Sequence, residues 1–162
     1  MLKKIYIAIT LSCLSMMAFG ASLDELKAQF VHLQAQVKAV KLSWQRAELT
    51  LRQAQKLNFV LYHQTQADAK DILARGDIVT KMDELVTQQV DSIVNGKMPY
   101  KAINFLADSF PELVAQMKSY LRLVSTAMAN REFRSLLGKK LVLKMNELMI
   151  AIKEAKLREE AE

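Results

Sequence analysis

Cysteine is almost absent from this 162-residue sequence, in which Cys13 is the only one. One thiol cannot form an intrachain disulfide, and it cannot build a zinc site that needs several thiolates. The fold must therefore be held together by its core. The length is sufficient for one domain.

Glycine and proline are also scarce, with four and two residues respectively. Alternating runs of β-branched residues, which would predict strands, are missing as well. Alanine, leucine, lysine, glutamine, glutamate and methionine dominate the sequence instead, and most of these residues favour helices. The composition predicts an all-α fold.

The start of the chain has the pattern of a bacterial secretory signal. Two lysines precede an apolar run over residues 5–19, which is short of the about 20 apolar residues that a spanning helix needs. Ala18 and Gly20 supply the small residues that precede a cleavage site. We predict a signal peptide over residues 1–20, cleaved after Gly20, and one α-helical domain over residues 21–162 in the periplasm or outside the cell.

Two other interpretations of this segment stay open. The apolar run could remain as an uncleaved membrane anchor, although it is short for that role. Residues 10–13 resemble a bacterial lipobox ending at Cys13, but Thr10 stands where that motif has an apolar residue. The short length of the apolar run and the presence of Thr10 both favour cleavage after Gly20.

Residues 23–61 repeat apolar side chains every three or four positions, without glycine or proline. This heptad pattern predicts one long helix, and Ser22, with Glu25 three residues later, is typical of its N-cap. Trp44 is interpreted as a core residue. The a column of the heptads is Leu23, Phe30, Val37, Trp44, Leu51 and Asn58, and the d column is Leu26, Leu33, Val40, Ala47, Ala54 and Leu61.

The rest of the chain predicts shorter helices and then a second long one. The first long helix either ends near Thr65 or runs on to Arg75; we favour a bend near Thr65, because Thr65 and Asp68 have the spacing of a helix cap. Asn130 either caps the last helix or lies inside it. The fold class is thus an elongated helical bundle with long first and last helices and shorter helices between. The helices between are predicted over residues 66–75, 77–94, 100–108 and 110–127.

Both long helices carry a second apolar stripe outside the heptad columns. A helix that is apolar on two sides contacts partners on both, so these stripes predict protein partners or self-association. Asn58 in the a column either fixes the register of such an association or marks the end of the helix at a bend. The candidate partner-binding residues are Leu42, Leu49, Asn58, Leu136, Leu143 and Ile150.

Basic residues cluster on both long helices. If the two helices are neighbours, these residues form an electropositive strip that attracts acidic partners or an anionic membrane surface; the alternative is a solvated surface. The predicted export argues against nucleic acid. The residues of the predicted strip are Lys38, Lys41, Arg46, Arg52, Lys56, Lys139, Lys140 and Lys144.

Catalytic and cofactor motifs are missing. The sequence has no paired-histidine zinc motif, no nucleophile elbow and no glycine-rich phosphate loop. His32 and His63 lie outside the heptad columns, so we expect them in solvent and too far apart on one helix to share a metal. We predict a protein that is not an enzyme and that needs no metal or cofactor.

Two resemblances bear on function. Residues 49–53, Leu-Thr-Leu-Arg-Gln, are similar to the Leu-Thr-x-x-Gln signature of small, basic, helical periplasmic stress chaperones. That family has the motif near a helix start, whereas here one copy falls in the middle of a predicted helix. The order of signal peptide, long helix, short helices and long helix resembles the minor pilus subunits of type IV secretion systems, in architecture alone.

These observations predict an exported, non-catalytic helical module that binds other proteins. The leading hypothesis is a structural or adaptor component of a bacterial envelope assembly, such as a type IV secretion or conjugation apparatus. The alternatives are a periplasmic holdase for unfolded or exported clients, which the methionines and basic residues would suit, and a secreted effector that acts on membranes or host proteins.

Overall fold

The computed structural model describes residues 20–162, and within them six α-helices hold 86% of the residues and no strand occurs. The prediction of an all-α bundle with long first and last helices is confirmed. Residues 1–19, with most of the predicted signal, lie outside the described part. The helices are α1 (Leu23–Leu57), α2 (Phe59–Leu73), α3 (Gly76–Val94), α4 (Phe105–Ser109), α5 (Pro111–Gln116) and α6 (Ser119–Ala161).

The start of α1 is a complete capping box. The backbone N–H of Glu25 donates to Ser22 Oγ at 3.2 Å, and the N–H of Ser22 donates to Glu25 Oε2 at 3.1 Å. Two backbone donors that the first helical turn would leave free are thereby satisfied. The prediction of Ser22 as N-cap is confirmed.

The predicted bend near Thr65 is wrong, because the chain turns at Asn58. The Asn58 backbone is extended (φ −155°, ψ 96°), and its Oδ1 accepts a hydrogen bond from the N–H of Leu61 at 3.0 Å. Asparagine is a strong N-cap, so it ends α1 and starts α2. Thr65 is buried inside α2. Residues 23–61 are therefore two helices, and Asn58 is a cap between them.

The two long helices, α1 and α6, lie antiparallel. Arg131 Nη1 of α6 is 2.8 Å from Glu48 Oε2 of α1. Nearer the α1–α2 turn, the Tyr120 hydroxyl donates to the carbonyl oxygen of Ala54 at 2.7 Å. Burial raises the pKa of Tyr120, and the Tyr62 phenol raises it further, so the donating proton is held firmly.

The core follows the pair of long helices as three clusters of buried side chains. The largest cluster joins α1 and α6 to α3 and α4, with Phe105 and Phe133 stacked at its centre. A second cluster joins them to α2 near the α1–α2 turn. A third, around Leu26, holds the start of α1 against the end of α6. Each middle helix thus covers only part of the length of the pair.

The predicted helix over residues 100–108 is mostly wrong, since only α4 forms there. Residues 95–104 are non-helical, and their backbone groups bind side chains of other helices. The N–H of Tyr100 donates to Gln36 Oε1, and Gln89 Nε2 donates to the carbonyl oxygen of Lys101 at 2.8 Å. These partners replace the hydrogen bonds of a helix.

The last helix is continuous from Ser119 to Ala161. Asn130 does not cap it; its Oδ1 accepts from the N–H of Phe105 at 3.0 Å and so fixes the start of α4. The predicted helix over residues 110–127 is divided at Met117, which has an extended backbone. Pro111 occupies the first turn of α5, where its missing N–H costs nothing.

Candidate interaction groove

A groove of about 510 Å³ runs between α1 and α6. Its α1 wall contains Val37, Lys41 and Trp44, and its α6 wall contains Lys139, Val142 and Leu143; the remaining lining residues are Val40, Arg134, Ser135 and Gly138. Most of this lining is hydrocarbon. We call it the interaction groove.

The heptad columns of α1 explain why one wall is apolar and yet accessible. The d residues, such as Val40 and Ala47, face α6 and are almost completely buried. The a residues Phe30, Val37 and Trp44 are only half-buried. In a coiled coil both columns contact a partner helix. Here the d column has that partner, and Val37 and Trp44 of the a column form the edge of a groove.

The other wall becomes accessible where α2 ends. Met128, Ser135 and Val142 follow at seven-residue spacing on α6, so they share one side of the helix. Met128 is buried in the cluster that α2 completes. Farther along the helix no described element covers that side, and Val142 is 42% exposed.

Gly138 deepens the groove. It lies opposite Val40, and a Cβ placed on it would be 3.6 Å from Val40 Cγ1, which is an ordinary contact distance. Since glycine lowers the stability of a helix interior relative to alanine, its position inside α6 is informative. The missing side chain leaves space between the two walls.

The interaction groove is electropositive. Lys41 and Lys139 are exposed, one on each wall, and neither forms an ion pair among the described residues. No lining residue is acidic. A ligand that combines apolar and acidic side chains therefore matches this groove best.

A second cavity between α1 and α6, of about 530 Å³, is a weaker candidate. Its polar lining is already engaged within the chain: Arg122 Nη2 donates to the carbonyl oxygen of Met117 at 3.1 Å, and Arg134 Nη1 donates to that of Ser43 at 3.2 Å. These bonds tie elements of the fold together. Arg134 borders both spaces, whereas no other side chain that lines the interaction groove forms a hydrogen bond within the described residues.

The predicted partner-binding residues are separated in the structure. Leu143 lines the interaction groove, and Ile150 lies exposed two turns farther along the same side of α6. Leu42 and Leu49 are exposed outside the groove. Leu136 is partly buried against the largest core cluster. Asn58 caps α2, as described above.

The predicted basic residues do not share one strip. Only Lys41 and Lys139 meet, at the interaction groove. Lys140 Nζ is 3.3 Å from Asp83 Oδ1 on α3, so it lies on another side of α6, and Lys144 follows it by one turn. The other residues are Arg46, at the second cavity, Arg52, paired with Glu48 at 3.7 Å, and the exposed Lys38 and Lys56.

Sequence reasoning missed two features of the groove. Trp44 was expected in the core, yet it is half-buried at the edge of the groove. Gly138 is not among the predicted site residues, although a single glycine inside a long helix is a usable signal of close approach or of missing volume. The heptad pattern identified the apolar a column of α1, but it did not show which side of α1 the other helices of the chain cover.

The two histidines have different surroundings and do not meet in one site. His32 is not in solvent as predicted: its Nε2 donates to the carbonyl oxygen of Ile93 at 3.2 Å. His63 is exposed and stacks edge-on against Phe59, with ring centroids 4.4 Å apart. Within residues 20–162 no group of three or more potential metal ligands occurs.

None of the helices in the described part of the chain is both long and apolar enough to cross a membrane. Comparison of the chain with protein-family models, with curated proteins and with solved structures finds no match.

Proposed function

We propose that this protein is an exported, non-catalytic interaction module, a structural or adaptor component of a bacterial envelope assembly such as a type IV secretion or conjugation apparatus. The observation that carries the proposal is the half-buried a column of α1 beside the exposed Val142 and Leu143 of α6. Export is inferred from the amino-terminal sequence pattern alone.

The occupant that fits the interaction groove is an amphipathic helix of another protein chain. Such a helix places apolar residues at spacings of three, four and seven into a groove. Trp44, Val142 and Leu143 offer apolar surface to it, and a fully buried large apolar side chain contributes about 1.5–3 kcal/mol. Acidic residues at its margins would meet Lys41 and Lys139.

Site-directed crosslinking tests this assignment. Val142→Cys and Val79→Cys place single thiols on two exposed valines (42% and 52% exposed), one in the groove and one on α3. Both chains carry Cys13→Ser, and a photoactivatable thiol reagent is used in envelope fractions of the producing cells. We expect a discrete adduct from position 142 and none from position 79.

A second substitution checks that the adduct depends on the groove. Leu143→Glu in the Val142→Cys chain should abolish the adduct, because it places an acid in the apolar wall. An adduct of twice the chain's mass identifies a second copy as the occupant. A broad distribution of adducts would instead favour a holdase, and equal yields at positions 142 and 79 would contradict the proposal.

A further inference from the structure

The α1–α2 turn projects an apolar surface at one end of the bundle. Leu57 is 79% exposed and Val60 66% exposed, with Phe59 and Leu61 beside them. None of these four side chains belongs to a buried cluster among the described residues. We call these four residues the apolar tip.

Asn58 accounts for the position of the apolar tip. Asn58 is the one non-helical residue between α1 and α2, and the side chains that flank it on both sides are exposed. Phe59 stacks only on His63 of its own helix. Because these side chains are outside the buried clusters, their concentration at one exposed turn is informative.

The surroundings of the apolar tip carry positive charge. Residues 49–67, which contain the turn, and residues 113–131, which contain the start of α6, include no Asp or Glu. The two segments lie at the same end of the molecule, since Tyr120 bonds to Ala54. The basic residues of these two segments are Arg52, Lys56, Lys118, Arg122 and Arg131.

Most of this charge is not neutralised. Arg122 donates to backbone carbonyls, which carry no net charge. Lys56 and Lys118 form no ion pair in the part of the chain that the structure describes. Glu48 is the nearest acid in the sequence before the turn, and it is shared by Arg52 and Arg131.

The opposite end of the bundle has the opposite character. There Asp24, Glu25 and the four glutamates of the last nine residues outnumber the basic residues of the same end, which are Lys27, Lys153, Lys156 and Arg158. Leu26 packs on Ala155, which places these acids together at that end. The molecule thus has one apolar, basic end and one acidic end.

We propose that the apolar tip inserts into an anionic lipid surface. Apolar side chains that enter the headgroup region and cations that remain beside it act together in peripheral membrane binding. The projecting shape of the tip suits a deformable lipid surface, whereas a folded protein partner would need a matching recess. This inference is independent of the interaction groove, which lies along the side of the bundle.

A local fluorescent probe tests the proposal in the full chain. Val60→Cys and Val31→Cys place a thiol on valines of similar exposure, 66% and 62%, one at the tip and one near the other end of α1. Both chains carry Cys13→Ser and an environment-sensitive label. With vesicles that contain phosphatidylglycerol, we expect emission to shift to shorter wavelength for position 60 and to stay unchanged for position 31.

Several outcomes would overturn the proposal. No shift at position 60, equal shifts at both positions, or an equal shift with vesicles of phosphatidylcholine alone would each contradict it. Because the readout is local, attachment of the vesicle through the amino-terminal apolar run does not produce the expected pattern. Circular dichroism of both labelled chains verifies that they are folded.

Charge variants test the electrostatic part. Lys56→Gln and Lys118→Gln should each weaken vesicle binding, measured by the shift at position 60, about fivefold. Higher salt should weaken it as well. The matched control is Lys27→Gln with Lys153→Gln at the acidic end, which should leave binding unchanged. Equal losses in both pairs would overturn the assignment of the basic end.

Discussion

One side of the α1–α6 pair is covered by other parts of the chain, and the other side contains an open groove. Val40 faces α6; at about 100° per residue, Gln36 and Ser43 fall on one side of that contact, and Val37 and Trp44 on the other. On the first side, which we call the closed side, residues 95–104 and α3 cover the pair. They form hydrogen bonds with side chains of α1. The second side contains the interaction groove.

The closed side shows what a permanent contact looks like in this molecule. The Tyr100 hydroxyl donates to Ser43 Oγ at 2.9 Å and accepts from Arg134 Nε at 3.2 Å. Such hydrogen bonds are satisfied in only one arrangement of the packed elements. Apart from Arg134, the side chains that line the interaction groove take no part in such bonding, so the groove is suited to an occupant that arrives from another molecule. Three stability measurements test this difference between the two sides.

The largest expected effect belongs to the core of the closed side. Phe105 is fully buried and lies within 6.1 Å of the ring centroids of both Phe110 and Phe133. Phe105→Ala should lower the free energy of unfolding by about 3–5 kcal/mol, measured by urea denaturation. The control Phe59→Ala, at the exposed apolar tip, should cost about 0.5 kcal/mol or less. Similar losses in both variants would contradict the assigned core.

A smaller effect is expected from the hydrogen bonds that close that side. Tyr100→Phe leaves Ser43 Oγ and Arg134 Nε without a partner, which should cost about 1–3 kcal/mol. A double-mutant cycle with Ser43→Ala measures whether the two groups act together. We expect a smaller combined loss than the sum of the single losses. Simple additivity would mean that this hydrogen bond contributes nothing.

The smallest effect concerns the floor of the interaction groove and has the opposite sign. Gly138→Ala should raise the free energy of unfolding by about 0.5–1 kcal/mol, because alanine is the better helix residue and its Cβ has space. The control Gly96→Ala should lower it, since a Cβ there would be 2.7 Å from the carbonyl oxygen of Ser92. Destabilisation by Gly138→Ala would show that the two helices approach more closely than described.

The helices could be predicted because their signals are local. The heptad repeat identified α1 and its buried d column, and Ser22 identified its start. The position of the turn could not be predicted with the same certainty, because Asn58 and Thr65 are both good caps and the choice between them depends on packing. Thr65 is buried in α2, so tertiary contacts decided the outcome.

The interaction groove could be predicted from the sequence only in part. Whether Val37 and Trp44 are covered depends on where α2 ends and on which side of the pair α3 packs. The irregular course of residues 95–104 depends on Gln36, which is 64 residues away from its bond partner Tyr100. Contacts over such separations leave no periodic pattern in the sequence. Of the ten residues that line the groove, only Leu143, Lys41 and Lys139 are among the interaction residues predicted from the sequence.

Fluorescence quenching of Trp44, the only tryptophan in the sequence, reports whether the interaction groove is open or occupied. The isolated, dilute protein should be quenched readily by acrylamide, because Trp44 lies at an unoccupied groove. In the complex trapped through Val142→Cys, the quenching should fall and the emission should move to shorter wavelength. A Trp44 that is already shielded in the dilute protein, or equally quenched in the complex, would contradict the claim that this groove receives a partner helix.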